Sequence, residues 1–316
     1  MADFLRNIIR KNLRPFTLPL VKKLDEIEEY VEQNRILTAR LLIRQLQTRT
    51  DSPARLSDRG FQVFSQWDED GIIQFLIGNI PIANRTFVEF GVEDYRESNT
   101  RFLLMNDNWR GMVIDANEEN VKKIRENKIY WRHDLVARQS FITRENINDI
   151  IRSADITGDI GLLSIDIDGN DYWVWESIEV ISPRIVICEY NSLFGWKDAV
   201  SIPYDSSFDR SRAHTSNLYF GASLAALCHL AERKGYTFVG SSQDGSNAFF
   251  VRKDCAGNLK PVTCEHGYVQ SRGRQSKDEL GRLTFIRGND RTRLIASCQV
   301  IDVIDGTKKT VGEIIL

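Results

Sequence analysis

The chain has 316 residues, 42% of them hydrophobic and 27% charged, with a formal net charge of −2. That is an ordinary globular composition with room for one large domain plus extensions, and its near-neutral balance gives no whole-protein reason to expect a nucleic-acid partner. Five cysteines (Cys188, Cys228, Cys255, Cys264, Cys298) with no Cys-x-x-Cys and no zinc-ligand spacing point to reduced thiols and a cytoplasmic setting.

Residues 1–50 read mostly as helix, with a break expected at Pro15 and Pro19. Leu20, Leu24, Ile27 and Val31 follow alternating four- and three-residue steps, interrupted at Asn34 and Thr38 before Leu41, which makes a short coiled-coil-like stripe. The first 23 residues hold six Lys or Arg against one Asp, beside Phe4, Leu5, Ile8, Ile9, Leu13 and Phe16. Such a segment either pairs with a second subunit, docks on its own domain, or lies on an anionic membrane surface, the inner face of the membrane in a cytoplasmic protein. Homo-oligomerisation through this helix is the first expectation. No run approaches the ~18 apolar residues that cross a bilayer. Charges at Arg6, Arg10, Lys11 and Arg14 interrupt any secretory core.

A linker is drawn over 51–60, a core domain over 61–254 and a small β-rich appendage over 255–316. In the core, Asp68-Glu-Asp-Gly71 precedes a helix burying Ile72, Ile73, Phe75 and Leu76. Strands follow at 86–90 and 111–115, with helices over 100–106 and 118–126. A third strand is placed near 129–132 or 138–142. The strand at 161–166 leads into a helix over 171–181, then a strand over 184–190. Leu224, Leu227, Cys228 and Ala231 share one helical face, and a hairpin of 236–240 with 247–251 turns at Asp244-Gly245. Alternating βα units ending in an antiparallel pair describe a doubly wound, mostly parallel Rossmann-like sheet of seven strands. Short strands at 283–286 and 296–303 are expected in the appendage.

Chemistry concentrates where apolar strands end, since open α/β sheets bind ligands at the carboxyl ends of their strands. Gly91 closes the first strand and lets backbone approach a bound nucleoside. The run Gly91-Val-Glu-Asp-Tyr-Arg lacks the further glycines of a pyrophosphate fingerprint, and Glu93 and Asp94 repel phosphate, so a cationic or neutral ligand suits it better. Asp115 ends the second strand as a ribose ligand or a helix cap. Asp166, Asp168, Glu189 and Asn191 offer oxygen donors suited to Mg²⁺; alternatively Asp166 orients the loop while Asp168 and Asp171 favour the positive end of the next helix. Among four histidines (His133, His214, His229, His266), His214 is the best general-base candidate of the core, because its loop is polar.

Val88-Glu-Phe-Gly91, Val113-Ile-Asp115, Leu163-Ser-Ile-Asp-Ile-Asp-Gly-Asn-Asp171 and the terminal hairpin resemble class I S-adenosylmethionine-dependent methyltransferases, most nearly the FkbM-like group that O-methylates sugars. Phe64-Ser-Gln66, Glu69-Asp-Gly-Ile72 and Tyr219-Phe-Gly-Ala-Ser-Leu224 are similar to that group as well, so the likeness spans residues 61–254. It implies that Glu89 and Gly91 line the methionine side of S-adenosylmethionine, that Asp115 takes the ribose, and that Ser98, Asn99, Thr100 and Asp166 border the same pocket. It also implies an Mg²⁺ site at Asp166, Glu189 and Asn191 with Asp168 as an alternative ligand, and a sugar or glycan-precursor acceptor whose hydroxyl loses its proton to His214 or a carboxylate such as Asp168. The aromatic residues Trp173, Trp175, Trp196, Tyr204 and Tyr219 either stack on sugar faces or pack helices. Asp166-Ile-Asp168 is also the Asp-x-Asp of a metal-dependent glycosyltransferase, and a methyltransferase-like core serving only as an assembly module is the non-catalytic alternative.

Overall fold

In the computed structural model the chain divides into two units, Met1–Arg49 and Thr50–Leu316. Residues 2–48, 53–273 and 275–315 are described, with side chains from Pro19 onward except at Val21, Asp25 and Ile315.

The first unit is one helix, α1 (Ala2–Gln47), and the expected break at Pro15 and Pro19 does not occur. Proline fixes φ near the helical value and removes one donor, so a long helix carries through each ring at the cost of a hydrogen bond. The membrane-surface reading of residues 1–23 falls mainly on side chains outside the description. Among the described residues no helix is long and apolar enough to cross a membrane.

The second unit runs α2 (Glu69–Asn79), β1 (Thr86–Phe90), α3 (Arg101–Asp107), β2 (Arg110–Asp115), α4 (Glu118–Glu126), α5 (Lys128–Arg132), β3 (Leu135–Gln139), α6 (Ile147–Arg152), β4 (Gly158–Ile165), α7 (Asp171–Ser177), β5 (Ile181–Glu189), β6 (Val200–Ser201), α8 (Arg210–Ala213), α9 (Leu224–Arg233), β7 (Tyr236–Ser241), β8 (Asn247–Arg252), α10 (Cys264–Gly267), α11 (Asn289–Leu294), β9 (Gln299–Asp302), β10 (Lys308–Thr310) and α12 (Val311–Ile315). Seven strands form one sheet in the order β3-β2-β1-β4-β5-β8-β7. The first five are parallel, and β8 and β7 run antiparallel, which is the doubly wound sheet with a reversed edge that the sequence pattern predicts.

Strand periodicity sorts the core into two faces. Val88, Phe90, Met112, Ile114, Leu163, Ile165, Val186 and Cys188 face α6, α7 and α9. Phe87, Val113, Leu162, Ile185, Ile187 and Phe249 face α2, α3 and α4. Continuing that alternation past the strand ends puts Glu89, Asp115, Ser164, Asp166 and Glu189 on the second face, so the polar tips share one side of the sheet.

Several boundaries differ from the sequence reading. The third strand is Leu135–Gln139, while Lys128–Arg132 is helical because the Asn127 side chain accepts from Ile129 N at 3.0 Å and caps a turn there. β5 begins at Ile181, and α7 stops at Ser177. Within the span drawn as a linker, residues 56–59 form a 3₁₀ turn with Leu56 buried beneath Gly240, where a Cβ would lie 2.7 Å from the Leu56 Cβ. Residues 283–286 form no strand beyond an isolated bridge of Lys277 with Leu283. The C-terminal residues do build β structure, but as a three-stranded sheet, β10-β9-β6, whose third member comes from the span drawn as the core. Ile295, Val300 and Val311 pack there with Leu193, Phe194, Val200, Ile202 and Leu218 as a third core.

Candidate active site at the strand tips

The sheet order reverses between β1 and β4, and the crevice outside that switch point is where doubly wound sheets place ligands. Every tip residue singled out from the sequence borders it or its neighbours.

Glu89 ends buried at the start of α3. Its Oε1 accepts from Asn99 N at 2.8 Å; its Oε2 accepts from Ser98 Oγ at 2.6 Å, Thr100 N at 3.0 Å and Thr100 Oγ1 at 2.5 Å. Burial pushes its pKa up, and these four donors pull it back. Glu89 therefore shapes residues 98–100, and one lone pair on Oε1 remains for a ligand. Asn99 Nδ2 reaches Ser164 Oγ on β4 at 3.0 Å and ties the same loop across the switch point.

Gly91 needs to be glycine for a different reason from the one expected. Its φ is +70°, and a Cβ there would lie 1.7 Å from the Asp166 carbonyl oxygen. The space on its Cβ side is taken by the neighbouring strand tip. Beyond it, Glu93 and Tyr95 also take positive φ. Asp115 holds this loop: its Oδ2 accepts from Glu93 N at 2.8 Å, and its Oδ1 from Asn117 N at 2.8 Å and Asn120 Nδ2 at 3.2 Å. One lone pair on Oδ2 remains for a hydroxyl donor.

Asp166, Asp168 and Glu189 bring carboxylate oxygens within 4.8 Å of one another. Burial, then the charges of Asp168 and Asp171, drives Asp166 far above the usual carboxylate range. Burial, then Asp166, does the same to Glu189. Asp171 shapes the loop, its two oxygens accepting from Ile167 N at 2.8 Å and Gly169 N at 2.9 Å, and Asp168 sits at φ +54°. Glu189 Oε2 is buried without a partner, and so is Oδ1 of Asn247, which is registered opposite Glu189 on β8. Two orphaned acceptors on neighbouring positions call for a donor or a cation between them.

Arg210 is the basic residue at this centre, and sequence reasoning missed it. Its guanidinium pairs with Asp168, donates from Nε to Asn217 O at 2.7 Å and stacks 3.8 Å above the Phe220 ring. Phe208 closes on Gly169, where a Cβ would lie 2.3 Å from its ring, and Asn170 Nδ2 donates to Asp205 O at 2.8 Å. Residues 205–221 thus form a strap over the β4 tip. Its sequence offered only a polar stretch, with no periodicity to tie it to Asp168.

Other expectations do not converge on the site. Asn191 clamps the strap: Oδ1 accepts from Leu193 N at 3.0 Å, and Nδ2 donates to Leu218 O at 2.9 Å and Phe220 O at 3.0 Å, which leaves one lone pair on Oδ1. His214 Nδ1 accepts from Ser216 N at 3.2 Å and lies 2.8 Å from Ser216 Oγ, so this nitrogen is engaged within its own loop. Trp175 is 1% exposed within the core and cannot stack on a sugar, while the half-buried Trp173 donates from Nε1 to Ile202 O at 2.9 Å. A second acid group, Asp68, Glu69 and Asp244, is buried on the same sheet edge. Gln243 N donates to Asp68 at 3.0 Å, and Trp67 N and Asn247 Nδ2 donate to Glu69 at 2.9 and 3.0 Å, so it joins α2 to the β7–β8 turn.

No family model and no curated protein matches the chain. Among solved structures it is similar to the N-terminal domain of EvdMO1 with SAH bound, at 12% identity and TM-score 0.39 over 61% of this chain and 88% of that one. A putative caffeoyl-CoA O-methyltransferase from Staphylococcus aureus aligns at 16% identity and TM-score 0.38, over 73% and 98%. An S-adenosylmethionine-dependent methyltransferase from Clostridium acetobutylicum aligns at 8% identity and TM-score 0.37, over 58% and 90%. Likenesses this distant assign neither a family nor a chemistry to this chain.

Proposed function

We propose that the chain is an S-adenosylmethionine-dependent methyltransferase that methylates a hydroxyl of a sugar or glycan precursor. The observation that carries this reading is the acceptor-rich crevice at the β1/β4 switch point, where Asp115, Asp166, Asp168 and Glu189 stand on one side of the sheet. A sulfonium donor is a cation with a ribose attached, and such a wall of carboxylates suits it. The loop after β1 has no glycine-rich phosphate cradle, which disfavours nucleotide-sugars and with them the glycosyltransferase reading.

The division of labour follows from the contacts. Glu89 fixes residues 98–100, Asp115 offers its remaining lone pair to a ribose hydroxyl, and Gly91 allows the β1 and β4 tips to meet. Methyl transfer is an in-line displacement, so the positions of donor and acceptor supply much of the rate. Asp166, Asp168 and Glu189 fit a hard divalent cation by donor type and spacing, with the orphaned Glu189 Oε2 as a ready ligand. Bound there, such a cation would lower the pKa of a coordinated hydroxyl. The acceptor proton passes to Asp168 when Arg210 releases it, or to His214.

Calorimetry with S-adenosylmethionine tests the reading, using the wild type, Asp115→Asn and Asp166→Asn, each with and without Mg²⁺. Saturable binding in the wild type, at least about tenfold weaker in Asp115→Asn, is expected. Absence of binding in a wild type that melts cooperatively sinks the methyltransferase reading.

A further inference from the structure

Among its described side chains, helix α1 carries eight large exposed hydrophobic residues: Leu20, Leu24, Ile27, Tyr30, Val31, Leu37, Leu41 and Leu42. Written as heptads with Leu24, Val31 and Thr38 at position a, Leu20, Ile27, Asn34 and Leu41 fall at d. Tyr30 and Leu37 fall at g and Leu42 at e. All eight thus lie on the a, d, e and g positions, on one seam about 33 Å long at 1.5 Å per residue. A contiguous exposed apolar seam marks an interaction surface. We propose that α1 joins two copies of this chain in a parallel, in-register two-stranded coiled coil over residues 20–41.

Matching of layers selects the occupant and the direction. In a parallel pair each core residue meets its own copy, so Asn34 faces Asn34 and Thr38 faces Thr38, and five layers stay fully apolar. In the longest antiparallel overlap, Leu24 faces Leu41, but Val31 faces Asn34 and Ile27 faces Thr38, each twice. Four apolar–polar layers replace two polar–polar ones. A buried amide needs a partner, and Asn34 donates only one of its hydrogens within the helix, from Nδ2 to Tyr30 O at 2.9 Å. Its second hydrogen and its Oδ1 are placed to exchange with the same groups of the other copy. A polar core layer that must pair with its own copy disfavours shifted registers.

Flanking positions agree. In a parallel pair g meets the following e of the other copy, which sets Lys23 against Glu28, Tyr30 against Arg35 and Leu37 against Leu42. The antiparallel pair gains Glu28 against Arg35 but sets Lys23 against Arg44, like charges that offset the gain. β-branched residues at two a positions, Val31 and Thr38, with leucine at two d positions, favour a dimer.

Sedimentation equilibrium on the full chain tests the assembly. A mass of twice 36.4 kDa is expected for the wild type, falling to a single chain in the double variant Leu24→Glu/Ile27→Glu with an unchanged melt. Both substitutions are at exposed positions, so they leave the fold of the chain itself intact. Direction is read by cross-linking: the Leu20→Cys variant oxidises to a dimer joined through the introduced thiols of its two copies, identified by peptide mass against the five native thiols. A monomeric or trimeric wild type, or a dimer indifferent to the double variant, overturns the proposal. So does cross-linking of Leu24→Cys only to Leu41→Cys in a mixture, which is the antiparallel pair. A monomer that sediments with phosphatidylglycerol vesicles through the same seam overturns it in favour of a membrane surface.

Discussion

Gly91 shows how tightly one residue can be held between two strands. It has φ +70°, and any Cβ would meet the Asp166 carbonyl oxygen at 1.7 Å. Gly91→Ala must therefore move backbone as well as adopt a strained φ, and we expect a loss of about 2 kcal/mol or more in urea unfolding. A neutral Gly91→Ala would mean that the β1 and β4 tips are not in contact. Glu69 makes a prediction in pH. Burial raises its pKa from 4.5 to about 7, against the pull of Asn247 and Trp67. Below pH 4.5 both folded and unfolded chains hold the proton, and Glu69 changes nothing. From 4.5 to about 7 only the folded chain holds it, so stability falls as pH rises, by about 3 kcal/mol in total at 1.36 kcal/mol per pKa unit. Asp171, raised to about 6 by burial, acts with the same sign from 3.8 to 6. Glu69→Gln should flatten the stability profile between pH 5 and 7, as read by denaturant midpoints. An unchanged slope would mean that Glu69 is ionised in the fold.

At the scale of elements, the chain's own caps do much of the positioning. Ser223 starts α9: its Oγ accepts from Ala226 N and Val200 N, each at 3.1 Å, and donates to Asp198 O at 2.7 Å. It therefore joins a helix N-terminus to β6 and to the end of the strap. Ser223→Ala should cost about 1–2 kcal/mol, the upper part of the range for a lost cap, because a buried N–H of β6 loses a partner as well. Ser223→Gly, which restores no acceptor, should cost as much. The parallel strands and their helices were legible because period-2 and period-3.6 patterns report burial directly, as in Val88-Glu-Phe90 and in Leu224, Leu227 and Ala231. β3 was not, since Tyr130 and Trp131 mimic a strand while the Asn127 cap makes them helical. The acids of the site were legible from their place after apolar runs. What they touch was not: whether Asn191 holds a cation or Leu218 O depends on the path of a loop 27 residues away, and nothing local to Arg210 announces Asp168.

Over the whole second unit, the C-terminal residues act as support for the strap. β9 pairs with β6 through Val200 with Asp302 and Ser201 with Ile301. Val300 and Val311 are fully buried against Val200 and Ile202, and the Tyr219 hydroxyl donates to Gln299 O at 2.5 Å. These contacts hold residues 192–221, the segment that carries Phe208 onto Gly169 and Arg210 onto Asp168. The buried residues of the two main cores lie between Leu56 and Ala256, and of the residues beyond Cys298 only Val303 packs against them. A chain ending at Cys298 should keep β1–β5 folded while the strap opens. Hydrogen exchange reads the two regions separately: protection over β1, β2, β4 and β5 is expected to stay within about tenfold of the full chain, and that over residues 192–221 to fall by about 100-fold or more. Equal loss in both regions would mean that the third core belongs to the global unfolding unit. Full retention in residues 192–221 would mean that Asn191, Asn170 and Arg210 hold the strap without it.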